Sequence, residues 1–97
     1  MYARVTFSQI SPDKMEDVLG VLRDKMLPVA SQQKGYKGYL LLGDQTGKGI
    51  SITFWETEDD RAASDQPSEY YRDVMAQLAP FFKGPPSVEN HEVIMKD

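Results

Sequence analysis

His91 is the only histidine in the sequence, and there is no cysteine. An imidazole titrates near neutrality, so His91 is the natural general base for taking a proton from a phenol or an enolisable carbon. The lone tryptophan, Trp55, ends an alternating apolar segment. It can wall a ligand cleft, donate through its indole, or simply fill core. Tyr36, Tyr39, Tyr70 and Tyr71 offer stacking faces and phenolic hydrogen bonds. Arg4 and Arg72 can hold an anion through paired N–H donors, or form partly exposed ion pairs. No metal or cofactor is expected. One histidine cannot make a site alone, thiolates are absent, and the acidic run at 56–60 lacks the alternating ligands of a calcium loop. The three glycines within 43–49 lack the phosphate-loop spacing and read as a turn between strands.

The 97 residues allow one domain, 1–97. Eleven basic against fifteen acidic residues give a net charge of −4, and the basic ones are scattered. A nucleic-acid partner is therefore not expected. No apolar run approaches a membrane span, and Tyr2-Ala3-Arg4-Val5 at the start is not a signal-peptide core. Together with the lack of cysteine, this predicts a cytoplasmic protein.

The elements that must position these side chains are legible in the hydropathy pattern. Residues 2–9 alternate, with Ala3, Val5 and Phe7 on one face and Arg4, Thr6 and Ser8 on the other. Ser11-Pro12-Asp13 opens a helix, with Ser11 as its cap and Met15, Val18, Leu19, Leu22 and Met26 as its stripe. Pro28 should kink or end that helix near Met26, with 29–33 as a last irregular turn if it continues. Residues 36–42 and 50–56 form a hairpin across the glycine-rich turn. Thr57 caps a short helix to about Ser64, and Pro67-Ser68-Glu69 starts another. Tyr71, Val74, Met75 and Leu78 are its buried stripe, with Tyr70 at the cleft or surface. Pro80 stops it, and residues 88–95 form the last strand.

The order βαββαβ predicts an α+β, ferredoxin-like domain with both helices on one face of a four-stranded antiparallel sheet. The helix-free face is expected to carry Arg4, Thr6, Ser51, Thr53 and Trp55. In the second strand both alternate sets, Tyr39/Leu41 and Leu40/Leu42, are apolar. A strand apolar on both sides is covered on both sides, yet the helices cover only one. A second copy of the chain is the simplest cover, and the expected partner is a homodimer.

Two segments carry a resemblance: Gln33-Lys34-Gly35-Tyr36-Lys37-Gly38-Tyr39, and Ile50-Ser51-Ile52-Thr53-Phe54-Trp55-Glu56-Thr57-Glu58. Their order and spacing resemble the antibiotic biosynthesis monooxygenase domain over essentially the whole chain. The resemblance implies a dimeric α/β barrel with a small-molecule cleft between helices and sheet. It also implies cofactor-independent oxidation of a small aromatic or polyketide-like substrate. The alternatives are a non-catalytic dimeric module for small hydrophobic ligands and, more remotely, haem binding or degradation. Compared with the quinone-forming members, Trp55 is kept, Ser51 replaces an asparagine, Arg61 replaces a tyrosine, and Arg72 alone can stand for the helix arginine. Compared with the haem-degrading members, Ala3, Ser64 and Val74 replace an asparagine, a tryptophan and the histidine ligand. The resemblance thus points to Trp55, His91 and Arg72 for catalysis, and to Tyr39, Tyr70, Arg4 and Ser51 for substrate.

Overall fold

A computed structural model describes residues 1–65 and 68–97. The expected restart at Pro67 falls outside the described residues. Four strands, β1 (Tyr2–Gln9), β2 (Tyr36–Gly43), β3 (Lys48–Trp55) and β4 (Ser87–Glu92), form one antiparallel sheet in the order β2-β3-β1-β4. The connecting helices are α1 (Met15–Val21), α2 (Leu27–Ala30), α3 (Glu58–Ala63) and α4 (Glu69–Leu78). This is the expected ferredoxin-like arrangement.

Local chemistry explains most boundaries. Thr57 accepts from the Asp60 N–H at 3.0 Å and Ser68 from the Tyr71 N–H at 3.1 Å, each capping the helix that follows. The β2–β3 turn closes where Gly47, at φ +89°, offers its carbonyl to the Ile10 N–H at 2.9 Å. A Cβ there would collide with the Ile10 carbonyl, so only glycine fits.

Several expectations need correction. Ser11 precedes a 3₁₀ turn (Pro12–Lys14), and its side chain makes no capping bond. Of the two outcomes expected at Pro28, the helical run becomes irregular and continues, and it does not end near Met26. A π-helical segment, Leu22–Met26, lies between α1 and α2, and Pro28 sits in the first turn of α2. Widening the turn before a proline accommodates its missing N–H and bulky ring without breaking the rod. The last strand stops at Glu92, leaving Ile94 and Met95 outside it and exposed.

The sheet faces are also reversed from expectation. Arg4, Thr6, Ser8, Ser51 and Thr53 lie under the helices, together with Tyr39 and Leu41. The buried core on that side is Ile10, Val18, Leu22 and Met26, packed against Tyr39, Leu41, Val74, Leu78, Phe81 and Phe82. The helix-free face carries Val5, Phe7, Ile50, Ile52, Phe54, Leu40 and Leu42, as the strand register requires. The helices' own apolar stripe, with Tyr39 and Leu41, supplies the core and tolerates a hydroxyl-bearing floor. The more apolar face has no helix over it among the described residues, and Leu40 and Leu42 on it are about half exposed, at 51% and 48%.

Candidate functional site

The helices do not pack flush on that floor. Between them lies a cavity holding about 70 Å³ of water-accessible space. Its floor is Arg4 and Thr6 from β1, Tyr39 from β2, and Ser51 and Thr53 from β3. Its roof is Val18, Leu22 and Met26 on one side and Tyr70, Tyr71, Val74 and Leu78 of α4 on the other. The two polar rows come from the same alternation on antiparallel neighbours, since Arg4 pairs with Thr53 and Thr6 with Ser51.

Arg4 is the cavity's charged group, and it is only 4% exposed. Its Nη2 donates to the Arg61 carbonyl at 3.0 Å and to Ser64 Oγ at 2.8 Å, and lies 3.8 Å from Asp65 Oδ1. The guanidinium is flanked by the rings of Tyr71 at 5.4 Å and Trp55 at 5.9 Å. Burial pulls the Arg4 pKa down, and Asp65 opposes this. Among the described residues, neither Arg4 Nε nor Trp55 Nε1 meets a protein acceptor. Arg61 is itself buried and tied to Glu58 at 2.6 Å and Asp65 at 3.4 Å, so it braces α3 and does not face the cavity.

Ser51 Oγ donates to Tyr39 OH at 2.6 Å inside the cavity. One hydroxyl proton of the pair is consumed there, and the other can meet a ligand. Burial pushes the Tyr39 phenol up, the Ser51 hydrogen bond opposes this, and Tyr36 adds to it. Burial also raises Tyr70, against a lowering by Arg4. Both phenols are therefore neutral donors at pH 7 and not phenolate bases. A stability consequence follows. The unfolded chain loses its phenolic protons first, near pH 10. The stabilisation held by the neutral buried phenols is complete below that pH and is lost as pH rises through their higher folded values. In urea unfolding from pH 9 to 11.5, the Tyr39→Phe/Tyr70→Phe double variant should show a shallower alkaline decline than the parent.

The structure brings Arg4, Tyr39, Tyr70 and Ser51 together, but not the three residues expected for catalysis. Trp55 is fully buried behind Arg4 and stacks edge-on against Tyr36 at 6.1 Å, without lining the cavity. Arg72 is exposed on α4 and does not line it. His91 pairs with Ala3, which puts it on the opposite face from Arg4, where its ring nitrogen Nε2 meets Glu89 at 2.8 Å. The sheet thus separates the one imidazole from the cavity. An axial histidine for haem is not available there, and Val74 lines the wall where the resemblance would put one. No group of three His, Asp or Glu among the described residues is placed to hold a metal. Sequence reasoning missed Thr6 and Thr53 as site residues. Their signal was the run of polar residues at every second position in two strands.

The sequence matches the antibiotic biosynthesis monooxygenase family over residues 1–77. It is 32% identical over 94 residues to Rv2557, an uncharacterised protein of Mycobacterium tuberculosis. That alignment covers 96% of this chain and 41% of the relative, so the chain spans about two fifths of the relative's length. Among solved structures, Rv0793 of M. tuberculosis superimposes with a TM-score of 0.75 at 17% identity, covering 98% of this chain and 96% of that one. A mutant of MhuD with two manganese protoporphyrin IX bound per active site gives 0.73 at 14% identity, covering 100% and 98%. At such identities these structures share the fold alone. No helix among the described residues is long and apolar enough to cross a membrane. With four fifths of its length matched, the chain belongs to the antibiotic biosynthesis monooxygenase family.

Proposed function

We propose that this chain is a homodimeric, cofactor-independent monooxygenase whose substrate is a small aromatic molecule bearing a phenol. The observation that carries this reading is the chemistry of the cavity. It is mostly apolar, its polar groups are the Arg4 guanidinium and hydroxyls, and no carboxylate is among the described residues that line it. Donors aimed at a phenolic oxygen favour its ionised form, and a low-dielectric enclosure strengthens them. An ionised phenol makes the adjoining carbon electron-rich enough to reduce dioxygen. Oxidation of a neighbouring methylene to a carbonyl then places one oxygen atom in the product, and the other leaves as water with the two methylene hydrogens. In this reading Arg4 stabilises the phenolate, Tyr39 with Ser51 and Tyr70 orient the ring, and Trp55 is a positioning residue that holds Arg4. The helix-free apolar face supports the dimer, because a second copy would cover it.

Oxygen-electrode assays with a hydroxyanthrone should show uptake matched by carbonyl product. Arg4→Met should lower kcat about 10²–10³-fold, the usual cost of losing one donor to a developing anion. His91→Ala should leave it unchanged. Tight binding without oxygen uptake across a phenol panel would overturn the monooxygenase reading. It would favour a non-catalytic binding module, which the separation of His91 from the cavity also supports.

A further inference from the structure

A phenol ionised in the cavity must send its proton somewhere, and no standing base lies beside it. His91 is on the other side of the sheet, and no carboxylate is among the described residues that line the cavity. Arg4 offers no acceptor. Tyr39 and Tyr70 are neutral at pH 7. What the cavity does hold is a set of hydroxyls. A neutral hydroxyl is both donor and acceptor, so it can take a proton on one side while giving its own on the other. Ser51 Oγ already donates to Tyr39 Oη at 2.6 Å, at the short end for such bonds. The reach is diagonal. Tyr39 pairs with Thr53, two residues beyond Ser51, an offset that a side chain as long as tyrosine's spans. That arrangement leaves Ser51 Oγ able to accept from a ligand and the Tyr39 proton free to move on. Tyr70, in the first turn of α4, lines the same cavity and also a groove of about 270 Å³ outside it, between the first helical run and α4. Lys25, Asp73 and Gln77 on the groove's walls are exposed, so the groove is open to water. Tyr70 thus stands at the boundary between the enclosed space and solvent, within electrostatic reach of Tyr39.

We propose that Ser51, Tyr39 and Tyr70 form a proton relay that carries the phenolic proton from the cavity to solvent. As the substrate O–H bond breaks, its proton goes to Ser51 Oγ. Ser51 passes its own to Tyr39 Oη, Tyr39 its own to Tyr70 Oη, and Tyr70 its own to a water in the groove. The three side chains end neutral, the substrate is left as its phenolate beside Arg4, and no electron leaves it in this step. Because each hydroxyl gives as it takes, no charge has to rest on a side chain in the low-dielectric interior. The relay rests on the function proposed above and adds a proton-transfer role to the three residues that orient the ring there. It also accounts for how the chain can ionise a phenol with its one imidazole on the far side of the sheet.

A photoacid reads the relay without oxygen. Naphthol becomes a strong acid on excitation: beside a proton acceptor it emits as naphtholate, and without one it emits at shorter wavelength as the neutral molecule. The probe is naphthol with the full chain in excess, excited to the red of Trp55, with emission anisotropy reporting that it is bound. The parent should show the naphtholate band. Ser51→Ala, Tyr39→Phe and Tyr70→Phe should each lose that band and emit as neutral naphthol while the probe stays bound. Thr53→Val removes a hydroxyl from the same floor but outside the row, and should keep the parent's emission. Neutral emission from the parent or from Thr53→Val, or naphtholate emission from any of the other three variants with the probe bound, overturns the relay. Oxygen uptake with a hydroxyanthrone, measured alongside, separates the relay from the function it rests on. Uptake with a failed emission test leaves the monooxygenase standing and the relay overturned. The expected emission pattern without uptake leaves the relay standing and the monooxygenase overturned. A parent that does not hold the probe overturns both.

Discussion

Trp55→Ala should destabilise the fold by about 3–5 kcal/mol, the range for truncating a large aromatic side chain in a packed interior. A domain of this size holds only about 5–15 kcal/mol in total, so the variant should be near its unfolding midpoint at moderate temperature. Three observations set the size of the effect. The side chain is fully buried, its ring packs edge-on against Tyr36 at 6.1 Å, and it backs the Arg4 guanidinium at 5.9 Å. Losing the indole opens a void and removes one of the two rings that flank a buried cation. Because Trp55 is the only tryptophan, unfolding must be followed by circular dichroism in urea and not by indole fluorescence. A loss under 1 kcal/mol would mean that the indole is not part of the packing and would return it to the list of ligand-contacting groups. Trp55→Phe keeps most of the volume and should separate the two roles: stability largely retained, with turnover lowered only through a less firmly held Arg4.

The second large effect concerns the helix-free face. Ile52→Lys should convert the proposed dimer to a monomer. Ile52 pairs with Val5 on one side and Leu40 on the other, so it lies in the middle of the apolar sheet surface. A symmetric dimer built on that surface would bury the substituted side chain in both protomers at once. One uncompensated buried charge costs about 3–5 kcal/mol, which weakens association by a factor on the order of 10³. Sedimentation velocity at micromolar concentration reads this directly. The parent should sediment as a dimer, and the variant as a folded monomer with unchanged far-ultraviolet dichroism. A monomeric parent, or a variant that stays dimeric, would show that this face is not the interface.

The elements legible in the sequence are those fixed by neighbours a few residues apart. The strand at Tyr2–Gln9 is found where the alternation puts it, because alternation is a property of the local chain. Thr57 caps its helix as its spacing to Asp60 implies, and the glycine-rich turn joins β2 to β3. The π segment before Pro28 was not legible. Whether a proline ends a helix or is absorbed depends on whether packing holds the helix on both sides, and Met26 and Ala30 are both buried against the body of the domain.

The candidate site divides in the same way. The sequence by itself determined which residues share a face. It grouped Arg4 with Thr6 and Ser51 with Thr53, and it singled out Tyr39, Tyr70 and Trp55. It could not determine which face meets the helices, because a period of two is symmetric about the sheet plane and contains no label for inside. Only the tertiary structure made that choice, and it put the polar rows inward, around a cavity. The register slip between Tyr36 and Gly38 is of the same kind. With regular alternation, Tyr36 and Tyr39 would point to opposite faces. The irregularity pairs Tyr36 with Trp55 and Tyr39 with Thr53, so both rings lie on the helix side. The strand pairing Ala3↔His91 likewise carries the one histidine away from the cavity. Local sequence sets periodicity and caps, whereas the side of the sheet on which a group does its chemistry is set by contacts among segments distant in the chain.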